Sequence, residues 1–168
     1  PGILDMEQFY GWALETLLAR NYHQKNLGNL NFYFNSASNL FEPIAYDMLF
    51  APLGDTFMVA DNRLLNRIMR HQPFREVFEA RARAYVENSD NLAADLAFFD
   101  TVTQTIKNDV IRDAAKLPPT ADFFAQTRFY RDTIEKNFTQ VKKWLEEGKS
   151  IPMTFAEEIY PLNEETCL

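Results

Sequence analysis

The chain has 168 residues, a net charge of -7, a sequence pI near 4.9 and 46% hydrophobic residues, with 15 Phe, 7 Tyr and 2 Trp among them. That length suits one domain that folds without metal or disulfide staples, and so apolar a composition excludes a disordered segment. With no Lys/Arg-rich run to neutralise phosphates, neither nucleic acid nor an anionic membrane is expected as the main partner; no apolar run reaches the roughly 18 residues of a membrane span, and the single cysteine, Cys167, cannot form an intramolecular disulfide.

In chain order, residues 5–20 read as a helix with Asp5 as N-cap, because Leu4, Phe9, Trp12, Ala13 and Leu17 recur at helical spacing. Residues 21–30 show no periodicity and hold three Asn and Gly28, the composition of a loop that satisfies its own hydrogen bonds. Aromatic and aliphatic residues then dominate 31–35 and 40–46, with Ser36, Ala37, Ser38 and Asn39 between them, which predicts a hairpin. Pro43 makes the second strand an edge or a bulged one.

From residue 61 only helices are expected: 62–71, then 73–88, with Pro73 in the first turn of the second and a bend at Gln72 and Pro73. Leu92, Leu96, Phe99, Val102, Ile106 and Val110 mark a long helix over 90–117. Phe123, Thr127, Tyr130, Ile134, Phe138, Val141 and Leu145 mark another over 119–148, antiparallel to the first across Pro118 and Pro119. The aromatic stripe Phe123, Tyr130 and Phe138 reads as core, His71 as a helix-end cap and Gly148 as a C-cap. Residues 149–168 read as a partly extended tail anchored by Phe155, Ile159 and Tyr160.

The expected fold is α+β and mostly α: a small β-hairpin packed on a helical lobe. The chemistry concentrates in residues 21–52, where the hairpin brings polar side chains ahead of its first strand close to Asp47 at the end of its second. Phosphoryl transfer needs little more from a protein than Asp and Asn oxygens on magnesium and a group that orients the attacking hydroxyl. Spacing alone is equally well met by a loop in which His23, Asn26 and Asn29 cap one another and Asp47 caps the next turn.

The runs Gly28-Asn29-Leu30-Asn31-Phe32-Tyr33-Phe34 and Asn39-Leu40-Phe41-Glu42-Pro43-Ile44-Ala45-Tyr46-Asp47 resemble the core of the CotH family of atypical protein kinases. Asn62-Arg63-Leu64-Leu65-Asn66-Arg67, Pro73-Phe74-Arg75-Glu76-Val77-Phe78 and Val141-Lys142-Lys143-Trp144-Leu145 are similar to that family's helical lobe. The resemblance implies the C-terminal lobe of a kinase-like fold over residues 1–148, with the hairpin unit in 1–60 and a helical bundle in 61–148. It implies ATP with Mg, or Mn, as cofactor, bound together with an N-terminal β lobe, and a protein as substrate or assembly partner. None of the 5 Gly forms a glycine-rich phosphate loop, and the start at Pro1 fits a processed chain or a piece of a larger one.

On that likeness Asp47 and Asn29 hold the metal nucleotide, Asn26 is a further metal candidate, and Tyr46 stands beside the nucleotide where the family often carries Trp. The family's catalytic Asp falls on Gln24, next to His23. A Gln can hydrogen-bond a hydroxyl but cannot take its proton, whereas His23 can. Leu49 stands where a second acid is usual, so an impaired pseudokinase is the alternative. His23-Gln24-Lys25-Asn26 and Pro43-Ile44-Ala45-Tyr46-Asp47 also resemble HipA-like kinases, with Asn21 at the catalytic Asp position and Asn26 as the metal Asn.

Overall fold

The computed structural model describes residues 2–21, 23, 29–47, 49–115, 119–146 and 149–156. Among these, 62% are helical and 10% lie in strands, so the chain is α+β and mostly helical. The order is α1 (Met6–Ala19), β1 (Asn31–Asn35), β2 (Leu40–Ile44), β3 (Phe57–Met58), α2 (Arg63–Arg70), α3 (Gln72–Glu87), α4 (Ser89–Arg112), α5 (Thr120–Leu145) and β4 (Met153–Thr154).

Helix α1 begins where Asp5 Oδ1 accepts from the backbone N–H groups of Glu7 and Gln8 at 2.9 and 3.1 Å, as the sequence predicts. It ends at Arg20, whose left-handed backbone (φ 48°) lets Arg20 and Asn21 donate back to Leu17 and Thr16. Phe9, Trp12, Ala13 and Leu17 are all buried, which puts α1 at the centre of the molecule. Around it pack Leu65 and Met69 of α2, Phe78, Ala82 and Val86 of α3, and Phe138, Val141 and Leu145 of α5. Burial of each large side chain contributes about 1.5–3 kcal/mol, so this cluster is the main source of stability.

The hairpin forms where expected, with β2 ending at Ile44 rather than at residue 46. Asn35 organises its four-residue turn: its Oδ1 accepts from Ala37 N and its Nδ2 donates to Glu42 Oε1 at 2.7 Å. Asn39 follows in the left-handed region (φ 58°), which Asn tolerates. On its other side β2 meets the chain before α1, Phe41 donating to Ile3 O and its carbonyl accepting from Asp5 N. The next donor on that side is the one Pro43 lacks, so the pairing stops there.

Two findings go beyond the predicted pattern. Strand β4 pairs in parallel with β3, Phe57 opposite Met153, and Ile151 is buried in the core. The start of the expected tail is therefore part of the domain; Ile159, Tyr160, Cys167 and Gly148 lie outside the described residues. Arg70 reinforces this seam by donating to Ala156 O and by lying over the Phe155 ring at 5.7 Å.

The second finding concerns α4, which contains no fully buried residue. Lys107 meets the Phe124 ring and Arg131 bonds Asp100 at 3.1 Å, so α4 and α5 do run antiparallel. Phe123 and Tyr130 stay half-buried, Tyr130 against the Phe50 ring at 6.1 Å, whereas Phe138, lower on α5, is core. The break between α2 and α3 falls at His71, which closes α2 by donating its backbone N–H to Ile68 O and caps α3 with no side-chain bond.

Candidate functional site

The hairpin performs the juxtaposition its sequence predicts. Asn29, just ahead of β1, donates from Nδ2 to Asp47 Oδ2 at 2.5 Å, and His23 Nδ1 lies 3.3 Å from the same oxygen. Asp47 has a left-handed backbone (φ 49°), a conformation that Asp adopts at modest cost and that turns its side chain out of the strand direction. Backbone strain of this kind concentrates at functional sites.

The Asp47 side chain is 53% exposed and that of His23 40%. Among the described residues no hydrogen bond reaches Oδ1, which leaves it open to a cation or a donor. Tyr46 is exposed beside Asp47. Gln24 and Asn26, the other two predicted site residues, lie outside the described residues.

Asn21 and Asn137 hold this cluster in place, and neither role was read from the sequence. Asn21 is 7% exposed, and its Oδ1 accepts from the backbone N–H of His23 at 3.1 Å and of Leu49 at 3.4 Å. It thus ties the segment before the hairpin to the segment after Asp47. Asn137, 1% exposed on α5, accepts from Leu53 N at 2.7 Å and donates to Leu18 O and Ala51 O at 2.8 Å each. Its signal in the sequence is a polar side chain next to Phe138 and four residues before Val141, both of the helix's apolar stripe.

For a metal nucleotide the donor set is small but of the right type: the Asp47 carboxylate, the Asn29 amide and the His23 ring. Asn29 now presents its NH2 to Asp47, and rotation of that amide would turn its oxygen to a cation. Among the described residues no group of three or more His, Cys, Asp or Glu side chains is arranged to hold a metal ion. The described residues therefore do not form a cage built from protein alone, and a hard cation held here would need waters or phosphate oxygens to complete its shell.

Next to Asn21 lies an open depression of about 330 Å³, lined by Arg20, Asn21, Phe57, Met58 and Asp61. A larger and more apolar groove, about 390 Å³, opens between α1, α4 and α5. Compared with family models, with curated proteins and with solved structures, the chain has no match, so its chemistry rests on its own geometry.

Proposed function

We propose that the chain is the C-terminal lobe of a CotH-like atypical protein kinase, contributing to ATP- and Mg-dependent phosphoryl transfer to a protein. The observation that supports this reading most is the convergence of Asn29 and His23 on one oxygen of Asp47, while no hydrogen bond among the described residues reaches the other. Asp47 and Asn29 would hold the magnesium of the nucleotide, with Asn26 as a further ligand. Bound there, the metal would neutralise charge on the phosphates. His23, whose Nδ1 faces Asp47, would take the proton of an attacking hydroxyl, and Gln24 would orient that hydroxyl. Tyr46, exposed beside Asp47, would line the nucleotide.

A second reading, an impaired pseudokinase that serves as a structural or interaction module, is favoured by a specific observation. Asn21 occupies the catalytic Asp position in the HipA-like alignment, and its Oδ1 is engaged by two backbone N–H groups. A side chain so tied, and neutral, takes no proton.

Incubation of the protein, joined to the N-terminal lobe that this reading requires, with γ-labelled ATP and Mg or Mn separates the two. Active transfer predicts label on the protein or on an added protein substrate, lost in Asp47→Asn and His23→Ala. Nucleotide binding that Asp47→Asn weakens, with no transfer, supports the pseudokinase. Neither binding nor transfer sinks the kinase reading and any nucleotide-binding role for the pseudokinase.

A further inference from the structure

The groove between α1, α4 and α5 has a floor of Leu18, Phe50, Phe99, Ile134 and Phe138 and, at its edge, Phe98, which is 73% exposed. It is half open rather than enclosed, and its shape extends beyond the cavity itself. Phe98 and Val102 are followed one turn further along α4 by Ile106, and all three are exposed. Steps of four residues on a helix make one stripe, here about 12 Å long at 1.5 Å per residue. A compact small molecule would leave most of that stripe uncovered.

The polar groups in the groove are both acids, Glu15 and Asp95. Asp95 accepts the Tyr85 hydroxyl on both oxygens at 2.9 Å, and no Lys or Arg among the described residues pairs with either acid. Burial raises the Glu15 pKa, as expected of a carboxylate set against apolar walls without a cation. An occupant that buries the stripe must therefore bring positive charge with it.

We propose that this groove docks an amphipathic helix of a partner protein, which lays apolar side chains at i and i+4 along Phe98, Val102 and Ile106 and sets a Lys or Arg against Glu15 and Asp95. Helices seated in grooves are recognised in this way, by spaced apolar anchors with charge giving register. The surface is separate from the Asp47 cluster, and the inference stands whether or not that cluster transfers phosphate. Phe50, three residues after Asp47, is shared between the groove floor and the loop that Asn137 holds.

The test is selection of a randomised 16-residue helical display library on the full chain, followed by anisotropy titration of the most enriched peptide. The expected result is enrichment of apolar pairs at i, i+4 with a neighbouring Lys or Arg. Binding should weaken about tenfold or more in Phe98→Asp or Val102→Asp, the scale of losing an interface anchor. It should weaken several-fold in Glu15→Gln, or when the peptide's basic residue becomes Glu. Circular dichroism of these exposed-site variants reports whether they fold. No enrichment, acidic peptides, or binding indifferent to Phe98→Asp overturns the proposal. It is also overturned if the chain dimerises through this face, with Phe98→Asp giving monomers, or if dodecylamine binds there and no peptide does.

Discussion

Replacing Asn137 with Ala deletes three hydrogen bonds at once and leaves the half-buried Leu53 N–H and the carbonyls of Leu18 and Ala51 without this partner. Each bond contributes about 1 kcal/mol net, and each buried group left without a partner costs about 1–3 kcal/mol. Some of that cost is recovered if water enters the hole, so the expected loss is about 3–5 kcal/mol. That is a large part of the roughly 5–15 kcal/mol that holds an ordinary domain together. At about 2–4 °C per kcal/mol for a chain of this size, Tm should fall by about 10–15 °C.

Urea titration followed by far-UV circular dichroism measures this directly, as a lower midpoint with an unchanged slope. The exposed neighbour Lys136→Ala should stay within about 0.5 kcal/mol. Hydrogen exchange adds a local readout, since the Leu53 amide should lose protection before the helices do. A loss under about 1 kcal/mol in Asn137→Ala would refute the claim that this side chain clamps the 51–53 segment to α1.

Thr16 Oγ1 is buried with no hydrogen-bond partner among the described residues, so the near-isosteric Thr16→Val should raise stability by about 1 kcal/mol, read as a higher Tm; a drop of that size would reveal a partner. Burial, followed by its hydrogen bond to Asp95 and the charges of Asp95 and Glu15, pushes the Tyr85 pKa up to about 12. The folded state keeps this proton where the unfolded chain, with a Tyr pKa near 10, has lost it, so the contribution is complete below about pH 10 and is lost as pH rises towards 12. Absorbance titration at alkaline pH should therefore lose its last phenol step in Tyr85→Phe. Loss of an early step instead would contradict the assignment.

Much of this fold was legible because its elements carry local signals. Asp5 caps α1, Pro73 enters the first turn of α3, and the apolar period marks the helices. The hairpin followed from two β-rich runs around four turn-forming residues. Less legible was whatever depends on contacts distant in the chain. Strands β3 and β4 are two residues each and owe their pairing to Phe57 N bonding Pro152 O and to the buried Ile151, which no local pattern announces.

Helical period also overstated the core in α4, because it reports a face and not what covers that face. In the site, the meeting of Asn29, His23 and Asp47 followed from the hairpin's topology. The left-handed backbone of Asp47 and the ties made by Asn21 and Asn137 did not, since a lone Asn in a sequence gives no sign of which backbone groups it will meet.

The central claim is that Asp47, with Asn29, is the ligand of a metal nucleotide. Its most direct measurement is paramagnetic broadening by Mn-ATP of the resonances of His23 and Asn29 in the labelled protein, compared with Asp47→Asn. That substitution removes the charge and keeps a residue that accepts a left-handed backbone. The account predicts selective broadening at His23 and Asn29 that Asp47→Asn abolishes without changing Tm. Broadening centred elsewhere, or unchanged in Asp47→Asn, would contradict it.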